Sequence, residues 1–180
     1  MFLILPERPD DEAAIELLLD DAFGARRHEK ASYAFRQDNP PVAGLSFVAR
    51  SGNRLVGSIR FWPLMVGDTT VPSLLLGPLG VAPEMRNYGI GRGLVCRGHM
   101  MAEKLGYKLV FLVGEGKYYS RFGYKPAQPH GLTMPGEDPA RLMVHELQVG
   151  TLRGVSGELH AGDCLRTGLL NPQPTNQARL

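Results

Sequence analysis

Staples, membrane spans and charge of one sign are all scarce in this chain. Only two cysteines, Cys96 and Cys164, occur among 180 residues, and a chain of that length buries enough core to fold without disulfides. The pair reads as reduced thiols in a cytoplasmic protein. No apolar run approaches the roughly 18 residues of a membrane helix, and the stretch from Met1 to Leu5 is too short, and lacks the basic flank, for a signal peptide. A net charge of +2 is too small to argue for nucleic acid as a partner. No internal repeat is evident. The hydrophobic content of 43% suits one globular domain, expected over residues 1–170 with a frayed polar tail from 171 to 180.

The informative stretch runs from Leu74 to Leu105. An apolar run from Leu74 to Val81 reads as a strand ended by Pro83, and Gly89, Gly91 and Gly93 then open a segment of helical period. Glycines in a first helical turn cost about 1 kcal/mol each relative to alanine, so their presence asks for a reason. One reason is access: without Cβ atoms, the unpaired N–H groups of a helix start can close around an anion, and the helix dipole adds positive charge there. The alternative is close packing. Between Glu84 and Lys108 five cations (Arg86, Arg92, Arg97, Lys104, Lys108) face two acids (Glu84, Glu103), which suits a phosphate guest.

Arg86-Asn87-Tyr88-Gly89-Ile90-Gly91 resembles the signature of the GCN5-related N-acetyltransferase (GNAT) superfamily: Arg or Gln, two residues, Gly, one residue, then Gly or Ala. Leu79-Gly80-Val81-Ala82-Pro83 resembles the strand end that carries the pantetheine arm of acetyl-CoA in that family, and Tyr119-Ser120-Arg121-Phe122-Gly123-Tyr124 resembles its later Tyr-x-x-x-Gly-aromatic element. The likeness is good from Arg54 to Ala127 and loose on the flanks, and is nearest to bacterial acetyltransferases with a Gly-Pro-Leu strand. It implies an α/β GNAT fold: a central, mixed, mostly antiparallel sheet with a βαβ acetyl-CoA-binding unit and helices on both faces. It further implies that Leu79, Gly80, Val81, Arg86, Asn87, Tyr88, Gly89, Ile90, Gly91 and Arg92 bind the coenzyme as co-substrate, and that no metal takes part. The Asn that many relatives place before the later tyrosine is replaced here by Leu112, so that contact is not carried over.

The rest of the chain is compatible with such a fold. Phe2 to Leu5 reads as a strand, and a helix follows from Pro9 with Ile15, Leu18, Leu19 and Ala22 on one face. Arg26 to Gln37 reads as a shorter polar helix, in a region the resemblance assigns to the acceptor pocket. Leu45–Arg50 and Leu55–Met65 flank Ser51-Gly52-Asn53 as a hairpin, with Arg60 as a solvated charge and Trp62 as a buried aromatic. Gly77-Pro78 predicts a bulge, which would leave Leu79 to Val81 free to bond an extended ligand. Along the central helix Ile90, Leu94, Val95, Gly98, Met101, Ala102 and Leu105 share a face; Arg92, Cys96, His99 and Glu103 lie opposite, read as solvated with a His99–Glu103 pair. Gly106 ends the helix, Leu109–Val113 is a buried strand, and Leu142–Leu147 and Val155–His160 are later strands.

Acetyl transfer needs a neutral amine, a stabilised oxyanion and a proton for the leaving thiolate. Tyr119 matches the family's tyrosine near the coenzyme sulfur and is the candidate proton donor. Its neighbour Tyr118 should point elsewhere. No acid occurs from Ser73 to Val81; Glu115 could act as base, or merely start a helix. An α-amine, with a pKa near about 7.7–8.0, supplies far more neutral nucleophile than lysine near about 10.4. The expected reaction moves an acetyl group from acetyl-CoA directly to a primary amine on a small molecule or peptide, with no membrane partner and with room for a homodimer. The alternatives are a non-catalytic acetyl-CoA-binding regulatory module and a toxin-like acetyltransferase acting on aminoacyl-tRNA. A nicotinamide-binding unit is disfavoured: the glycines run G-x-G-x-G, residues 83–88 intervene after the strand, and Lys108 to Val113 lacks the ribose-binding acid.

Overall fold

The computed structural model describes residues 1–162; Cys164 and the expected tail 171–180 lie outside them. Strand β1 (Leu3–Pro6) leads through a 3₁₀ turn to helix α1 (Glu12–Phe23), a second 3₁₀ turn (Ala25–Glu29) and the short α2 (Ala31–Ala34). Strands β2 (Ser46–Ser51), β3 (Arg54–Val66) and β4 (Ser73–Val81) follow, then helix α3 (Ile90–Lys104) and β5 (Leu109–Val113). The chain closes with α4 (Gly116–Tyr119), β6 (Lys125–Pro126), β7 (Leu132–Thr133), β8 (Leu142–Glu146) and β9 (Gly157–Ala161). The region read as one helix over Arg26–Gln37 is instead split. Lys30 takes an extended conformation between the 3₁₀ turn and α2, and Arg27 is drawn back to Asp20 and Glu16 on α1.

The strands form one mixed sheet in the order β1-β2-β3-β4-β5-β8-β6, with β9 beside β3 and β7 beside β9. Most neighbours are antiparallel; β4–β5 is parallel, as a strand–helix–strand unit requires, and so is β7–β9. Alternation assigns the two faces. On β2, Phe47 and Ala49 point toward α3, while Val48 meets Ile15 and Leu19 of α1. Gly57 faces Ile90 and Leu94 of α3, and Gly80 faces Leu18 and Leu19 of α1, so the two helices lie on opposite faces. Leu74, Leu76, Val110 and Leu112 pack in the core beneath α3; Leu75, Leu109 and Phe111 pack with Phe35, Trp62 and Leu64 on the other side.

Arg60, expected in solvent, is buried at 9% exposure. It donates to Glu7 at 2.9 and 2.6 Å and to Glu12, clamping the start of α1 to β3. Burial is tolerable because the carboxylates compensate the charge.

Helix α3 sits very close to the sheet. A Cβ on Gly98 would stand 2.3 Å from the Phe61 ring, and Phe61 is fully buried. Alanine would gain about 1 kcal/mol of helix propensity but overpack the core at a cost of about 1–3 kcal/mol. Gly98→Ala is therefore expected to lower the free energy of unfolding in urea; an unchanged or higher midpoint would show that α3 can lift away.

Candidate functional site

Where β4 and β5 meet, the ladder is short. Ser73, Leu74 and Leu75 pair with Leu109, Val110 and Phe111, and no pairing continues along the rest of either strand. On its other side β4 stays with β3 through Ile59↔Leu79, Ser58↔Gly80 and Gly57↔Val81. The register slips between Ile59 and Phe61, so that Gly77 and Pro78 stand opposite Arg60 alone. This is the bulge that Gly-Pro forecast; the peptide between the two residues is cis. The indole N–H of Trp62 donates to the Gly77 carbonyl and fixes it. Beyond the bulge, the edge of β4 from Leu79 to Val81 has no strand beside it on the β5 side.

A cleft of about 1020 Å³ occupies the gap. Its α3 side is lined by Leu79, Val81, Arg86, Asn87, Gly89, Ile90, Gly91 and Arg92, and its far side by Tyr118 and Tyr119 of α4. The cleft thus brings together most of the residues expected to hold a coenzyme. Gly80 points its missing side chain at Leu18 and Leu19 and is not part of the lining. Tyr88 is 67% exposed, outside the lining.

From Asn87 to Arg92 no backbone N–H donates to a described residue; the amides of Met85 and Arg86 before them, and Gly93 after them, all do. Asn87 takes a left-handed φ of 68° and Gly89 one of 82°, which turns the chain tightly into the helix start. Free amides at the N-terminus of a 15-residue helix, with Arg86 and Arg92 beside them, are the kind of donors that an anion would need. The three glycines have separate reasons. Gly89 needs its backbone conformation. Gly91 admits the Tyr118 hydroxyl, 2.6 Å from where a Cβ would stand, and Gly93 admits Ile4 at 2.7 Å. Tyr118, with Arg121 over its ring, therefore closes the cleft at the start of α3, whereas Tyr119 packs against Gly114 deeper in.

Burial pushes the Tyr119 phenol well above its ordinary pKa, with Tyr118 adding to the effect, so it is protonated at neutral pH. Glu115 lines the cleft but is exposed and precedes α4; both roles weighed for it fit that position. Among the described residues no group of His, Cys, Asp and Glu could hold a metal ion, and no helix is long and apolar enough to cross a membrane. Cys96 is an exposed free thiol.

His99 departs from expectation. It is half-buried, forms no pair with Glu103, and shares a 2.8 Å hydrogen bond through Nε2 with the Tyr124 hydroxyl. Its ring stacks on His145 at 4.7 Å, while His145 Nδ1 donates to the Gly123 carbonyl at 3.2 Å. Burial, then the nearby His145, pulls its pKa down from 6.5 to about 3. The network backs Tyr119, whose ring lies 5.8 Å from that of Tyr124. Helical period put His99 opposite the core stripe; the partners that bury it arrive from β8 and the turn after α4, which no local pattern announces.

A family profile for the "Acetyltransferase (GNAT) domain" matches residues 6–127. The chain is 32% identical over 157 residues, 86% of its length and 93% of the relative's, to the uncharacterized N-acetyltransferase YhbS of Escherichia coli (strain K12). The crystal structure of YhbS in complex with CoA superposes with a TM-score of 0.78 at 30% identity, covering 89% of each chain. A GNAT family acetyltransferase from Brucella melitensis, in complex with acetyl-CoA, shares the fold at TM-score 0.69 and 24% identity, covering 92% of this chain and 98% of the other.

The His99 network makes stability depend on acid. The folded chain keeps His99 neutral down to about pH 3, whereas the unfolded chain takes up that proton near its ordinary 6.5; stability therefore falls as pH drops from about 6.5 toward about 3, by at most about 1.4 kcal/mol per pH unit from this group. Urea unfolding at about pH 7, 5.5 and 4.5 should give a shallower decline for His99→Gln than for the wild type. Parallel declines would mean that His99 titrates normally in the fold.

Proposed function

The chain belongs to the GNAT family of N-acetyltransferases, and from that premise we propose that it transfers the acetyl group of acetyl-CoA directly to a primary amine. The diphosphate is held by the free amides from Asn87 to Arg92, with Arg86 and Arg92 beside it. The pantetheine arm runs along Leu79, Gly80 and Val81 as an added strand would, bonding the backbone edge that β5 leaves open. The thioester then lies in the gap between β4 and β5, within the reach of Tyr119. The observation that carries this reading is the run of amides without acceptors at the mouth of the cleft. The CoA bound in YhbS supports it.

In the transfer the amine nitrogen bonds to the thioester carbonyl carbon, the C–S bond breaks, and its electron pair leaves on sulfur. Tyr119, kept protonated by burial, gives its proton to that sulfur. The surplus proton of the new amide passes through water to the Tyr119 phenolate that this leaves, since Ser73 to Val81 offers no acid to take it, and the tyrosine is restored for the next turnover. Selection of an amine already neutral at working pH replaces a dedicated base.

Isothermal calorimetry should show acetyl-CoA and CoA binding at one site. Release of CoA thiol in the presence of an amine panel should fall by about 10²–10⁴ in Tyr119→Phe, with acetyl-CoA affinity within about twofold of wild type. No calorimetric response to either coenzyme would overturn the proposal; a fully active Tyr119→Phe would remove the tyrosine from it and leave the binding assignment in place.

A further inference from the structure

The half of the cleft away from α3 holds a charge without a counter-ion among the described residues. Arg36 lines the cleft, its guanidinium carbon 4.0 Å from the Tyr33 ring centre and 5.6 Å from that of Trp62, on the sheet face opposite α3. Its Nε and Nη1 are buried and lack a hydrogen-bond partner among the described residues. Nη2 reaches 3.4 Å from where a Cβ on Gly77 would stand, at the bulge that opens the cleft. Burial lowers the pKa of the group, offset in part by Tyr33, yet a guanidinium stays charged at any ordinary pH.

Its neighbours help only in part. The Tyr33 hydroxyl, which accepts from Arg27 Nη1 at 2.9 Å, also favours the charged Arg36 but brings no formal counter-charge, and Asp20 and Glu16 are engaged by Arg27. Nor is Arg36 on a loose loop. Asn39 Nδ2 donates to the carbonyls of Phe35 at 2.8 Å and Pro63 at 3.0 Å, and the Ser32 amide donates to Glu137 at 2.8 Å. The segment is thus fastened on both sides of Arg36. Lys30 and Arg141 line the same cleft without ion pairs among the described residues, and Glu115 is its sole described acid.

An uncompensated buried charge is destabilising, and one fixed beside a cleft is positioned for an anion that arrives from outside. A single planar fork suits a carboxylate. We propose that the acceptor is an amine that also carries a carboxylate, and that Arg36 binds the carboxylate; this rests on the acetyl transfer proposed above and names its substrate class. The same cations disfavour the ammonium form of an amine bound among them, which suits a site with no acid on β4.

The test uses matched probes: an amino acid panel and the corresponding amino acid amides as acceptors, and their N-acetyl forms as ligands of the CoA-saturated protein in thermal shift. The acids are expected to exceed the amides in kcat/KM by at least about tenfold, and to need a ligand concentration lower by at least about tenfold for half the shift. In Arg36→Gln the two series should come within about threefold of each other, mainly through KM, with Arg36→Lys in between and CoA binding unchanged in both. Equal use of acids and amides by the wild type, no shift with any N-acetyl acid while CoA still binds, or a preference that survives in Arg36→Gln would each overturn the inference and leave the coenzyme reading standing. Loss of CoA binding in the wild type would take both down.

Discussion

The structure depends on the parting of two adjacent parallel strands. β4 and β5 share a ladder of three residues each and then diverge, because the Gly77–Pro78 bulge diverts β4 while β3 continues to hold it on the other side. Pro78 has no N–H to give to a neighbour, and Trp62 captures the Gly77 carbonyl, so neither residue's key backbone group is available to extend the ladder. Had the ladder continued, the edge at Leu79–Val81 would be paired and the two faces of the sheet would be sealed from one another. The same bulge therefore creates both the unpaired edge at Leu79–Val81 and the passage between the α3 side and the Arg36 side.

A sheet opened at its centre must be held elsewhere. β3, at 13 residues, pairs with β2 and β4 and, past Arg60, takes β9 along Leu64–Val66. Helix α3 is pressed down through Gly57 and Gly98, which fixes the height of its N-terminus over the cleft. On the other face α1 is tied by charges: Arg60 to Glu7 and Glu12, Arg50 to Asp11. Arg27 then ties the segment after α1 back to Glu16 and Asp20. Exposed ion pairs contribute little, but Arg27 and Arg60 are themselves buried, so removing their carboxylates would leave a guanidinium without compensation. These contacts set where Arg36 stands.

What could be read from the sequence was what is local in it. The βαβ unit, the hairpin at Ser51-Gly52-Asn53 and the bulge all follow from alternation, period and turn residues within short windows. The side of the cleft lined from Leu79 to Val81 and from Arg86 to Arg92 is legible for the same reason, since the two runs are nearly contiguous. The other half is assembled from Arg36, Trp62, Gly77, Tyr119 and Arg141, which have no common spacing. Arg60 and His99 were misplaced because their surroundings are set by residues far along the chain: Glu7 and Glu12 for one, Tyr124 and His145 for the other. Periodicity gives a side chain's direction along its own element; it does not say what comes to meet it.

The glycine run shows how a local motif can be right in place and mixed in cause. A single explanation, backbone access for an anion, covers the free amides but does not require Gly91 or Gly93. Those two are imposed from outside the helix: α4 delivers the Tyr118 hydroxyl onto Gly91, and β1 delivers Ile4 onto Gly93. Gly89 alone of the three has a conformational reason, a left-handed turn into α3. Two elements, α4 and β1, therefore converge on one helical turn, and each excludes a side chain there. The consequence is rigidity at the point where the amides face outward, so a diphosphate would meet donors already aligned rather than donors it must order. The motif marks a junction as much as a helix start, whose first N–H groups have no acceptor within the helix.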